Sequence, residues 1–251
     1  MLRPFLAVLL SVVWPVKMTA AQPPFVGERL TIDVSFLNIP VVTATLHITD
    51  EMVEGSPPVY HLAVWAKSTP FYSLLYQVDN RYDSFFTWPQ AHTLRYERCI
   101  KETGVDLRRV ASYHDNQAFY DGELGPSVPP NVRDLFSALY ALRGQPLEDG
   151  QVIDSPLDLD GQLWVARAVV LGREEIQTQL GTHQAIEVGI RFLEPEQAQG
   201  AREKSDVLTN NLVRANTKLT IWFSDDERKI PLRAQYRLVP FSLKAILSGL
   251  N

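Results

Sequence analysis

Lys218 to Val239 reads KLTIWFSDDERKIPLRAQYRLV. Leu219, Ile221 and Phe223 alternate with Thr220, Trp222 and Ser224, the period of two that marks a strand with unlike faces. Asp225-Asp226-Glu227-Arg228 is a polar break rich in turn formers. Ile230, Leu232, Ala234, Tyr236 and Leu238 then alternate with Lys229, Pro231, Arg233, Gln235 and Arg237. The stretch predicts a β-hairpin from an antiparallel sheet, apolar on one face and charged on the other.

The same alternation runs outward from that hairpin. Leu30 to Phe36, Val42 to Ile48 and Tyr60 to Ala66 read as three meandering strands with a turn at Asn38-Ile39-Pro40. Arg81–Thr87, Leu94–Lys101, Leu107–Tyr113 and Gln117–Tyr120 continue the style, as do Gln151–Ser155, Leu163–Leu171, Arg173–Leu180 and His183–Phe192. Helical spacing interrupts it. Thr69-Pro70 opens a short helix with Phe71, Leu74, Leu75 and Val78 on one side, expected to lie on the sheet. Asn131 to Arg143 is the clearest helix: Asn131 is placed to cap it, and Val132, Leu135, Phe136, Leu139 and Leu142 form one apolar stripe. Gly144 and Pro146 end it. Glu194 to Asn216 is polar and reads as a mobile loop or a short exposed helix, and Phe241 to Leu247 as a last short helix. The fold expected is mainly β: a strongly curved antiparallel sheet, or partly open β-barrel, wrapped around one amphipathic helix, with one or two short extra helices.

Residues 1–21 read as a signal peptide, with Arg3 as the positive start, Phe5–Val13 as the apolar run and Thr19-Ala20-Ala21 as the cleavage site. Pro15 and Lys17 cut that run short of a membrane span, and no later stretch approaches one. Residues 22–251 then form a single exported β domain. The chain is acidic, with a formal net charge of −5, which argues against nucleic acid as a partner and against an electrostatic hold of the chain as a whole on anionic lipid. Cys99 is the only cysteine, so an intrachain disulfide is impossible; it reads as a small sheet residue.

At Trp222-Phe223-Ser224-Asp225-Asp226, followed by Arg228, Ile230 and Pro231, the chain resembles domain-of-unknown-function family 3108. Gly27-Glu28-Arg29-Leu30 is similar to that family's opening strand, and Leu75 to Arg81 to its central segment. Asp134 to Tyr140, then Leu142-Arg143 and Pro146-Leu147, is similar to its helix. The resemblance spans nearly the whole mature chain. It implies an exported bacterial protein, largely antiparallel β, with no established activity; we expect it in the periplasm of a Gram-negative bacterium.

Catalytic chemistry finds little footing. His47, His61, His92, His114 and His183 have no metal-ligand spacing, and no cofactor fingerprint occurs. Asp158-Leu159-Asp160-Gly161 reads as a hairpin turn rather than a calcium loop. Asp225 and Asp226 read as solvated turn residues rather than an acid–base pair. Asp134 and Arg143 fall half a turn apart and bond elsewhere: Asp134 to the helix start, Arg143 to the last carbonyls or a carboxylate such as Asp79 or Asp226. Aromatic residues carry the one hint of binding. Trp65, Tyr72, Tyr76 and Trp222 are the candidate ligand contacts, Trp222 because it stands on the polar register of its strand.

The expected function is a non-enzymatic module that binds an apolar or amphipathic cell-envelope component in the concave face of the sheet. Two alternatives stand beside it. One is an assembly protein docking an envelope partner through a sheet edge or the 194–216 loop; the other is an envelope-polymer hydrolase built on convergent carboxylates or a His–carboxylate pair.

Overall fold

The computed structural model describes residues 23–51, 58–194, 206–212, 218–238 and 241–251. The expected signal peptide lies outside that set. The first meander is β1 (Arg29–Phe36), β2 (Ile39–Glu51), β3 (Val59–Ser68), β4 (Asp79–Phe86), β5 (Thr93–Glu102), β6 (Val105–His114), β7 (Gln117–Tyr120) and β8 (Glu123–Ser127). After the helix α1 (Leu135–Arg143), the second is β9 (Val152–Leu159), β10 (Gln162–Thr178), β11 (Gly181–Leu193), β12 (Lys218–Ser224), β13 (Pro231–Leu238) and β14 (Phe241–Leu250). A second helix, α2 (Val207–Leu212), lies between β11 and β12, and Tyr72–Leu74 is a single 3-10 turn.

All strands join one antiparallel sheet in the order β8-β7-β6-β5-β4-β3-β2-β1-β14-β13-β12-β11-β10-β9. The two meanders therefore meet along β1 and β14, with Val34 opposite Ala245 and Phe36 opposite Leu243. The sheet is not closed; its margins are β8 and β9. Side chains bridge part of that gap. Tyr113 on β6 and Tyr120 on β7 donate hydroxyl bonds to Asp158 on β9, and Arg98 on β5 pairs with Asp160 just beyond β9.

The alternation fills the hollow of the sheet, and α1 completes it. Tyr140 and Ala141 belong to a buried cluster with Leu62, Tyr82, Phe86 and Ile100 of the first meander. Ala138 and Leu142 belong to another, with Leu157, Val188, Ile190 and Phe223 of the second, and Leu139 packs against both. Fully burying each leucine, isoleucine, valine or phenylalanine among them stabilises the fold by roughly 1.5–3 kcal/mol.

Both ends of α1 are tied to the wall. Asp134 is its N-cap: one carboxylate oxygen accepts from the Phe136 and Ser137 amides at 2.8 and 3.0 Å. The other accepts from the Ser84 and Thr93 hydroxyls at 2.6 and 2.8 Å. At the far end Arg143 donates to both oxygens of Glu28, at 2.7 and 2.8 Å, and to the Arg228 carbonyl. Its guanidinium lies over the Phe25 and Tyr140 rings, 4.9 and 4.7 Å from their centroids.

Several local expectations are corrected. The helix starts at Leu135, not after an Asn131 cap, because Asp134 has buried hydroxyl partners; Arg133 instead forms a parallel bridge with Leu157 of β9. Arg143 finds Glu28, not Asp79 or Asp226. Phe71 to Val78 makes one 3-10 turn, and Phe71, Leu74 and Leu75 face solvent instead of the sheet. Phe241–Leu250 is a strand, since β1 and β13 pair with it on both sides. Leu163 to Thr178 is one continuous strand, in which Gly172 sits at a bulge rather than a turn. β8 carries no alternation, only Gly125-Pro126 in a sheet margin, where proline costs no ladder bond. Within the expected 194–216 loop, the described residues 206–212 carry the short helix α2, in which Thr209 is buried and Val207 exposed, with Asp206 buried just before it.

Candidate ligand-binding hollows

Two hollows open beside α1. The apolar one, about 160 Å³, lies between Phe136 and Leu139 of the helix and Ala168, Ile190, Phe192 and Ile221 of the second meander. The more polar one, about 230 Å³, is bordered by Tyr96, Arg98, Tyr113, Tyr120, Asp158 and Asp160, with Val110, Ala111 and Leu159 among the apolar neighbours. Leu135 borders both. α2 also reaches both: Leu208 borders the apolar hollow and Thr209 the polar one.

The first meander holds α2 in place through a buried polar cluster. Asp206 accepts from the Thr209 amide and hydroxyl, both at 2.8 Å, and from the Tyr82 hydroxyl at 3.0 Å. Arg98 stands 3.6 Å from the same carboxylate. The Val207 amide donates to Glu102 at 3.1 Å, and Glu102 also accepts from Asn80 and Tyr76. Burial and the nearby Glu102 carboxylate push the Tyr76 hydroxyl up to about 12.

In the polar hollow, Asp158 accepts from Tyr113 at 2.9 Å, from Tyr120, and from the Gly161 amide at 3.0 Å. Burial pushes its carboxyl above the usual value and outweighs these hydrogen bonds. The Tyr96 hydroxyl is buried and has no hydrogen-bond partner among the described residues. The pocket therefore presents tyrosine edges, one unmatched hydroxyl and paired charges. That arrangement suits hydrogen bonding to a polar group more than capture of a bare ion. Among the described residues no group of three His, Cys, Asp or Glu gathers to hold a metal.

The aromatic candidates are dispersed. Tyr72 and Tyr76 stand together, ring centroids 6.5 Å apart. Trp65 is 38% exposed on the face of β3 opposite Val64, with the Arg81 guanidinium 5.3 Å over its ring. Trp222 does stand opposite Ile221 and Phe223, but only 6% of it is exposed. Arg233 covers its ring at 3.9 Å and its Nε1 donates to Glu174 at 2.5 Å. None of the four borders either hollow. The residues that do border them gave weak sequence signals. Asp158 was visible only as the start of a turn, which it also is; Tyr96 and Tyr113 were ordinary strand positions. Elsewhere, His61 Nε2 lies 2.8 Å from Asp83, stacked on Phe85 and apart from both hollows. Cys99 is a free, exposed thiol on β5.

One open antiparallel sheet curled around a helix, with two small hollows beside that helix, defines a β-barrel-like protein. The chain belongs to the family described as protein of unknown function DUF3108, whose model matches residues 31–247. Among solved structures it is similar to the β-barrel-like protein of domain of unknown function DUF1849 from Brucella abortus. That match has 10% identity, covers 90% of this chain and 97% of that one, and has a TM-score of 0.56. An inferred exported protein with a YmcC-like fold from Bacteroides fragilis matches at 11% identity over 90% and 96% of the two chains, with a TM-score of 0.36. No curated protein matches the chain. Among the described residues no helix is long and apolar enough to cross a membrane.

Proposed function

We propose that this is a non-enzymatic binding module of the Gram-negative periplasm that takes up an amphipathic cell-envelope component. The observation that carries the reading is the adjacency of an apolar and a polar hollow, sharing Leu135 and both touched by α2. The apolar end of the ligand enters between α1 and the second meander, and its polar end meets Tyr96, Tyr113 and Asp158. An apolar space of about 160 Å³ is close to engineered cavities of about 150 Å³ that accept a benzene-sized guest. It therefore takes a ring or a short alkyl end rather than a full acyl chain. Tyr72 and Tyr76 are assigned to the approach, because Tyr76 shares Glu102 with the start of α2. Trp65 is assigned to the outer surface of the module, and Trp222, covered by Arg233 and bonded to Glu174, to packing.

Native mass spectrometry of the protein purified from its own periplasm tests this. The wild type is expected to carry the added mass of an amphipathic molecule with a ring or short alkyl end. Ala168→Phe, which fills the apolar hollow, is expected to lose it while keeping the β circular-dichroism spectrum. A wild type that never carries such a mass, or an A168F protein that carries it equally, would overturn the reading.

A further inference from the structure

We infer that one end of the sheet is a docking surface for an anionic lipid bilayer. The β1–β2 turn and the β3–β4 connection lie side by side at that end. The Thr69 amide donates to the Val41 carbonyl at 2.9 Å, and its hydroxyl to the Pro40 carbonyl at 3.0 Å. From these two loops project Leu74, Leu75 and Phe71, which are 82%, 73% and 64% exposed, with Leu37 and Ile39 beside them at 56% and 48%. Isolated exposed apolar residues are ordinary, but five large ones on two touching loops form a patch that mixes badly with water. Thr69 to Val78 contains no charged residue at all.

Charge continues the surface along the same rim. The strands that follow β1 are β14, β13 and β12, and near this end they carry Lys244, Arg237 and Lys218 on one face. Lys244 stands opposite Ser35 and Gln235, and Arg237 opposite Lys218. Two cations directly opposite each other repel, which a fold does not gather for its own stability. None of the three has an ion pair among the described residues. They concentrate on a chain whose overall net charge is −5. Apolar loop tips that insert, flanked by cations that meet lipid phosphates, are the two components of reversible attachment to an anionic interface.

β11 ends and β12 begins at this same end, and α2 lies between them in sequence. The inference does not depend on ligand capture, and its test contains no ligand. Co-sedimentation of the full chain is measured with vesicles of phosphatidylcholine alone and of phosphatidylcholine mixed with phosphatidylglycerol. Residues 1–22 are common to every sample, so differences between variants report the rim. The wild type is expected to partition onto the mixed vesicles. Leu74→Glu combined with Leu75→Glu is expected to weaken that by about tenfold or more. Lys218→Gln, Arg237→Gln and Lys244→Gln together, or added salt, are expected to weaken binding to the mixed vesicles alone. Val152→Glu, an exposed change away from the rim, is expected to leave it unaltered. All these side chains are exposed or half-buried, and thermal melts confirm that each variant folds. Absence of wild-type partition, or partition unchanged in a folded L74E/L75E protein, overturns the inference. So does self-association that L74E/L75E abolishes in a protein indifferent to vesicles, which would make the rim a contact between copies.

Discussion

Arg143 and Glu28 form a bidentate pair whose side chains are 0% and 1% exposed. Removing one partner from such a pair leaves a charge without water or counterion, which costs about 3–5 kcal/mol. Glu28→Ala is therefore expected to lose stability on that scale in urea denaturation, although Arg228 also reaches Glu28 at 3.1 Å. A loss below about 1 kcal/mol would show that the pair behaves as a surface one. Asp158 makes a prediction of opposite character. Burial raises its folded pKa above the ordinary 3.8. Its contribution to stability is thus fully present below pH 3.8 and is lost as pH rises through the raised folded value. Asp158→Asn carries no such proton, so its melting temperature relative to wild type should climb as pH rises from below 3.8 towards neutrality. Parallel pH profiles for the two proteins would contradict this. At this scale the sequence was legible only in part. The alternation placed Trp222 opposite Ile221, yet nothing local revealed that Arg233 and Glu174 cover it. The need of Arg143 for a carboxylate was visible, but Glu28 lies 115 positions away, beyond what local spacing can show.

Elements were legible where one periodicity dominated. The hairpin of β12 and β13 and the helix stripe of Leu135, Phe136, Leu139 and Leu142 could each be read directly. Elements misread were those whose apolar residues satisfy two spacings at once. Phe241, Leu243, Ile246 and Leu247 fit a helix, but partners on both sides make β14 a central strand, where tertiary pairing overrides local preference. Phe71, Leu74 and Leu75 likewise fit a packed helix, and their exposure is the finding that spacing could not supply. The α1 cap is a prediction at this scale. Asp134→Ala removes the acceptor for two helix amides and for the Ser84 and Thr93 hydroxyls. A cap alone is worth about 1 kcal/mol, and each buried donor left unmatched adds about 1–3. The expected loss is therefore larger than a cap deletion and is read by urea denaturation; Asp134→Asn, which keeps an acceptor, should recover part of it.

For the molecule as a whole, the alternation determined a curved antiparallel sheet around a helix, but the order of strands within it was not readable. Strand order depends on which margins meet, and only β1 and β14 being neighbours turns two meanders into one surface. The two halves also share Leu139, which packs against both buried clusters. Calorimetry is accordingly expected to give a single cooperative transition, with calorimetric and van't Hoff enthalpies equal; two resolved transitions would mean that the halves fold independently. The β1–β14 ladder has one more consequence, for synthesis and for damage. During translation β1 keeps an unmatched flank until β14, made after all the other described strands, is available. Proteolytic loss of β14 would not trim the sheet at a border. It would split it through the centre, leaving β1 and β13 as two raw edges open to aggregation.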